Sequence, residues 1–283
     1  MYQLAQPAPA LAPFIEHYWS VHTEPGGSVD LSVEVYVDAR ADLILNFGAP
    51  YSRTVRSGTT TLMARSNFDA QRTEPITIRQ QGEIRVCGVR FHTAGVSAFV
   101  NAPLYVWTNR TPEIADVFGK DASALDALAS ATADRDAMKR ILDRYFLARL
   151  LPSSTARSLL ALKRRIEANE DGTSVAELCA GSGIALRQVG RLFRQHLGIS
   201  AKAFSGIVRF QRALNRLKSD SGLSLADVAA SCRYYDQSHL VKDFKRYAGG
   251  VPRAFKGYFP KEGPADFSPN VVRFLQDGGG EPT

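Results

Sequence analysis

Two stretches near the C-terminal end set guanidinium, amide, hydroxyl and imidazole groups at helical spacing on an apolar scaffold. From Arg187 to Leu197 the apolar residues Val189, Leu192, Phe193 and Leu197 recur at core spacing, which leaves Arg187, Gln188, Gly190, Arg191, Arg194 and Gln195 outward. In the second stretch Leu240, Phe244 and Tyr247 face inward and Gln237, Ser238, His239, Lys242 and Arg246 face out. Such a face has the donors and acceptors that read base edges in a major groove: Arg can fork onto guanine, and Gln can pair bidentately with adenine. Any solvated helix can show one face of this kind. Two on matching scaffolds in a basic segment point to a polyanion.

The charge is unevenly placed. Residues 1–150 hold 15 Lys/Arg and 16 Asp/Glu, a net of −1, whereas residues 151–283 hold 20 and 12, a net of +8. Between Ser154 and Pro260 the count is 18 against 8, a net of +10, so only the second half is expected to meet nucleic acid. The composition, 45% hydrophobic and 22% charged over 283 residues, suits a folded chain of about two domains. No apolar run approaches a bilayer span, and Met1–Ala5 has no basic lead into an apolar stretch. A cytoplasmic chain with no membrane contact is the expectation. Cys87, Cys179 and Cys232 are too scattered for a disulfide framework or a thiolate metal site and read as small hydrophobes.

The elements that must carry these faces follow from periodicity. Val29, Leu31, Val33, Val35 and Val37 alternate as in a half-buried strand, and residues 42–48, 74–80 and 84–91 look like further strands. From Ala94 the period becomes helical: Val96, Phe99 and Val100 mark one helix, and Met138, Ile141, Leu142, Tyr145 and Phe146 another. The fold class expected is α+β. A β-rich domain over 1–150, a small barrel or curled sheet plus helices, precedes an all-α domain over 154–260 and a tail over 261–283. In the α domain Leu159, Leu162 and Ile166 mark a first helix. Ser174-Val-Ala-Glu-Leu then repeats as Ser224-Leu-Ala-Asp-Val at an offset of 50. Val189, Phe193, Gly198 and Phe204 repeat as Leu240, Phe244, Gly249 and Phe255 at an offset of 51, so two helix-turn-helix units differ by one residue in the turn. Ile207, Phe210, Leu214 and Leu217 stripe the joining helix. Ser268-Pro269 could start a short helix carrying Val271, Val272, Phe274 and Leu275, and the residues from Gly278 read as frayed.

The segment Ala226-Asp-Val-Ala-Ala-Ser-Cys-Arg-Tyr-Tyr-Asp-Gln-Ser-His-Leu-Val-Lys-Asp-Phe-Lys-Arg-Tyr-Ala-Gly-Gly-Val-Pro-Arg-Ala-Phe resembles the signature of the AraC/XylS family of transcription regulators. Arg191-Leu-Phe-Arg and Gly198-Ile-Ser-Ala-Lys-Ala-Phe fit the same family, and the resemblance covers roughly 105 residues. It implies two recognition helices entering successive major-groove segments of double-stranded DNA. By position it makes Arg187, Gln188, Arg191, Gln237, Ser238, His239 and Lys242 base readers, with His239 open to a second reading as a cap or core residue. Arg194, Lys202, Lys245, Arg246 and Arg253 become phosphate contacts. The chain departs from the pattern at three places. Ala185 stands where the first recognition helix usually has a capping Ser, Ala201 stands for a proline (Pro252 is kept in the second copy), and Arg233 stands for the turn glycine. A turn of this kind needs a residue at positive φ, so Arg233 is expected to carry backbone strain.

The first half resembles the sensor-like domain ahead of this unit in some family members, on Asp42-Leu-Ile-Leu-Asn-Phe-Gly, Arg65-Ser-Asn-Phe and Cys87-Gly-Val-Arg-Phe. Tyr36, Arg40, Asp42, Asn46 and Arg90 lie on or beside its strands as candidates for a small-effector pocket, against the alternative of a structural ionic network. His17, His22 and His92 have no recognised metal-ligand spacing, and no nucleophile elbow or phosphate loop occurs, so no metal, cofactor or catalysis is expected. A small-molecule effector, a homodimer and, for an activator, an RNA polymerase contact are the partners to weigh. The alternatives are a constitutive low-specificity DNA binder and a metal-dependent enzyme tethered to nucleic acid.

Overall fold

The computed structural model describes residues 2–63, 66–120, 125, 128, 131, 133–151, 164, 168, 185–220, 222–256 and 272–275. The helix expected at Leu159, Leu162 and Ile166, the Ser174 copy of the repeat, Cys179, Ser268-Pro269 and the residues from Gly278 lie outside these.

Two five-stranded antiparallel sheets form the first domain. One runs β1 (Tyr2–Ala5), β2 (Ile15–His22), β9 (Arg85–Phe91), β4 (Ala41–Asn46), β7 (Asn67–Asp69). The other runs β10 (Val272–Leu275), β3 (Val29–Val35), β8 (Ile76–Gly82), β5 (Tyr51–Val55), β6 (Thr60–Met63). The sheets stay open and face each other, so the domain is the curled-sheet alternative and not a closed barrel. Alternation sorts the first sheet: Leu43, Leu45, Cys87, Val89 and Phe91 join an apolar core with Met138, Leu142 and Phe146 of helix α2 (Arg135–Arg149) and with Val117 and Phe118 of α1 (Ile114–Phe118). Asp134 starts α2 by accepting from the Asp136 and Ala137 amides, both at 2.9 Å. Asp143 anchors α2 to the sheet by accepting from Tyr18 Oη and the Ala8 amide, each at 2.9 Å.

The other face of that sheet is polar. Asn67 Nδ2 donates across to Tyr51 Oη at 2.8 Å, and Arg53 stands 3.7 Å from Asp69. The helix expected from Ala94 shrinks to a 3-10 turn, Gly95–Ala98, with a second one at Leu104–Val106. Ala94 stands before the turn at φ 66 and the helical path ends at Phe99, at φ −122, while Val96, Phe99 and Val100 still reach the core.

The second domain contains α3 (Leu186–Leu197), α4 (Ala201–Ser219), α5 (Leu225–Ser231) and α6 (Gln237–Ala248). Ser200 caps α4 through the Ala203 amide at 3.1 Å, Ser224 and Asp227 form a capping box on α5, and Asp236 caps α6 through the His239 amide at 2.7 Å. Ala185 gives α3 no side-chain cap. The joining stripe of Ile207, Phe210, Leu214 and Leu217 is buried with Val189, Phe193, Leu240 and Phe244.

The tail corrects a sequence expectation. Val272–Leu275 is a strand, not a helix, pairing antiparallel with β3 from Val272↔Val35 to Leu275↔Ser32. An edge strand with unpaired amides takes an extended partner whatever that partner's helical periodicity. The second half is therefore not wholly helical, since its last described residues complete the first domain's sheet. A chain ending before Val272 should expose the β3 edge, self-associate in sedimentation, and melt lower by about 2–4 °C per kcal/mol of pairing lost.

Candidate nucleic-acid interface

Helix α3 presents Arg187, Gln188, Arg191 and Arg194 to solvent while Val189, Phe193 and Leu197 are buried. Helix α6 presents Gln237, Ser238, Lys242, Lys245 and Arg246 over buried Leu240, Phe244 and Tyr247. Each helix stops at a left-handed glycine, Gly198 at φ 83 and Gly249 at φ 76. Lys202 and Arg253 are exposed at matching distances beyond these stops, in the first turn of α4 and in the 3-10 turn Pro252–Phe255.

His239 differs from its neighbours. Its ring is half-buried, with Nε2 3.1 Å from Arg209 Nη2 and its face edge-on to Tyr234 at 5.2 Å. Arg209 also donates to Asp243 Oδ2 at 2.9 Å and lies 4.6 Å over the Tyr234 ring. Burial lowers the Arg209 pKa, but Asp243 more than offsets it and the guanidinium stays charged. The cap-or-core reading of His239 thus has a structural partner in α4. Sequence reading missed Arg209 and Asp243, although an acid beside Phe244 on the buried side of α6 was a visible sign.

Arg233 sits in the α5–α6 turn at φ 58, the strained conformation expected there. It borders an open cleft of about 740 Å³ whose lining includes Arg212, Asn215 and Arg216 of α4 and Cys232. Beside it Tyr235 is 94% exposed immediately before the α6 cap. No sequence argument singled out this aromatic group. Arg233→Gly should raise Tm by about 2–4 °C, since a side chain in the left-handed region costs on the order of 1 kcal/mol; an unchanged melting curve would show the turn to be relaxed.

The five residues proposed for an effector pocket separate. Arg40, Asp42 and Arg90 gather: Arg90 binds Asp38 and, at 2.7 Å, Asp42, while Glu16 binds Arg40 and lies 3.9 Å from Arg90. Strand register builds the group, aligning Asp69, Asp42, Arg90 and His17 in one row across β7, β4, β9 and β2. Asn46 lies apart, donating to Ala49 O at 3.1 Å and accepting from the Gly48 amide at 3.2 Å. Tyr36 leaves the sheets altogether and is buried in the helical core. His17 and His92 flank Glu16, and burial pushes the His17 imidazole down to about 4, with Arg90 and Arg40 adding to the fall and Glu16 opposing it. Between pH 6.5 and about 4 the unfolded chain therefore takes a proton that folded His17 refuses, and stability falls with acidification. His17→Gln should flatten a melting-temperature profile across that window.

Residues 178–257 match the helix-turn-helix domain family, and residues 3–113 match a domain of unknown function, DUF6597. The chain is 30% identical over 124 residues to the HTH-type transcriptional activator RhaR of Yersinia pestis bv. Antiqua (strain Angola), covering 43% of this chain and 41% of that protein. It is 28% identical over 102 residues to the HTH-type transcriptional regulator MtrA of Neisseria gonorrhoeae, covering 36% and 32%. The matches thus span less than half the length of these relatives. Among solved structures, ToxT from Vibrio cholerae is similar at a TM-score of 0.45 and 7% identity, over 81% of this chain and 97% of that one. A probable AraC family transcriptional regulator from Rhodopseudomonas palustris CGA009 is similar at 0.33 and 27%, over 35% and 94%. The helix-turn-helix match covers the segment that holds α3 to α6, and the signature residues lie on α5 and α6, so residues 178–257 carry a helix-turn-helix domain of the AraC type.

Proposed function

We propose that this chain is a sequence-specific DNA-binding transcriptional regulator whose β-domain governs the DNA-binding half. The observation that carries this reading is the pair α3 and α6: two helices with exposed Arg, Gln and Lys faces over equivalent buried residues, each ended by a left-handed glycine. Arg187, Gln188, Arg191, Gln237, Ser238 and Lys242 are the base readers in this proposal, with His239 at the margin because its ring is held by Arg209. Arg194, Lys202, Lys245, Arg246 and Arg253 hold phosphates. The β-domain is the place for a small effector, and its ionic group of Glu16, Asp38, Arg40, Asp42 and Arg90 is where a polar one is first sought. Homodimerisation and a contact to RNA polymerase belong to the same proposal.

Two readers in one chain should protect two major-groove segments on one face of the DNA, roughly 34 Å apart, within a non-palindromic site. A footprint with one protected groove per chain overturns the two-reader model. Arg191→Ala or Gln237→Ala should each cost about 1–3 kcal/mol on a selected site and relax the preference at one position. Lys202→Ala should weaken all sequences alike and lower the salt slope by about 0.9. A low-specificity binder would instead lose affinity equally on every sequence in all three variants.

A further inference from the structure

The ends of both recognition helices rest on the β-domain. At the end of α3, Thr108 Oγ1 donates to the Gly198 carbonyl at 2.7 Å. The approach is close, since a Cβ on Gly198 would come within 2.7 Å of that hydroxyl and 3.2 Å of Leu104 O in the Leu104–Val106 turn. At the end of α6, the Val37 amide donates to Tyr247 O at 3.1 Å and Arg56 Nη1 donates to Lys245 O at 2.9 Å. The last carbonyls of a helix have no partner within it, so the β-domain supplies donors where helices lack them. Cations and N–H groups also suit the negative end of a helix.

The α6 contact is part of a larger insertion. Between β3 and β4 the chain leaves the sheet and puts Tyr36 and Val37, both fully buried, among the helices. The Tyr36 ring meets Phe255 edge-on at 5.3 Å, and Gln211 Nε2 of α4 donates to Val37 O at 2.6 Å. The next two residues tie this finger back to the β-domain: Asp38 is bound by buried Arg90, and Ala39 is held at φ 61. A non-glycine residue persists there only where its surroundings over-determine it. Meanwhile Arg187, Gln188, Gln237 and Ser238, at the opposite ends of the two helices, remain exposed.

We infer that the β-domain is a two-point clamp, Thr108 at one recognition helix and the Tyr36–Val37 finger with Arg56 at the other, which sets the distance and twist between the two reading faces. Thr108, Tyr36 and Arg56 are positioning residues that touch no base. The inference rests on the two-reader proposal above and deepens it. Helix α4 has 19 residues and spans about 28 Å, so small tilts at its ends move the faces relative to each other. The clamp opposes that freedom from outside.

The test uses the full chain and sites in which one or two base pairs are added or removed between the two protected segments. Two base pairs turn one segment about 70° relative to the other, and the wild-type chain should lose about tenfold or more in affinity. Thr108→Val and Arg56→Ala, each removing one donor at the interface, should keep the base preference within each segment while the spacing penalty shrinks several-fold. Thr108→Ser and Tyr36→Phe should retain it. Tyr36→Ala adds a stronger arm, and the two milder variants decide the matter if it does not fold. Folded Thr108→Val and Arg56→Ala chains with the wild-type spacing penalty overturn the clamp and leave the two-reader proposal standing. A wild-type chain that protects one segment only overturns both.

Discussion

Burial of Tyr36 and Val37 among the helices is the contact on which the arrangement of this molecule depends. A strand connection would ordinarily run over its own domain's surface, where water satisfies its backbone. Here the Val37 amide and carbonyl are satisfied by Tyr247 and Gln211, so Val37 is buried with both of its peptide groups paired. The Lys218 ammonium, 5.6 Å from the Tyr36 ring centroid, is drawn into the same interface, and burial pushes its pKa down to about 8. The two halves therefore share a core at this point.

The ionic group behind the finger gives that connection its stiffness. Arg90 is held between Asp38 and Asp42, which places one end of the finger under the control of β4 and β9. A fully desolvated guanidinium tolerates burial only when carboxylates surround it, and removing one partner leaves the others uncompensated. The neighbouring layer of Arg53, Asp69 and Arg72 extends this polar seam between the sheets, with Arg72 Nη1 donating to Val35 O at 3.1 Å at the root of the finger. The inside of the β-domain is thus a charged frame, unlike the aromatic core on the other side of the first sheet, where Phe91, Phe99 and Phe146 pack edge to face.

Duplication explains why the clamp has two jaws. Gly198 and Gly249 end equivalent helices in the same left-handed conformation, yet Thr108 donates to the Gly198 carbonyl whereas a Cβ on Gly249 would meet only Pro75, at 3.5 Å. Equivalent scaffolds meet different parts of an asymmetric partner. Similar local geometry has acquired different contacts, as the two outward faces have acquired different residues.

Several features needed only local chemistry. Apolar spacing and the internal repeat placed α3, α4, α5 and α6, because helices of this kind are fixed by neighbours within one or two turns. The strain at Arg233 was visible for the same reason: a turn of set length needs one residue at positive φ. Alternation gave β3, β4, β8 and β9. Strands such as β2 and β5 depended on partners far along the chain, β9 and β8, and β10 is a strand only because the β3 edge is there to receive it. Tyr36 and Arg90 looked equivalent as polar residues on or beside strands. Strand register sent Arg90 into the ionic row, and the chain's exit from β3 sent Tyr36 into the helices. Residue types determined what each group could do, and long-range packing decided which groups meet, because contacts between residues distant in sequence are settled by the fold as a whole.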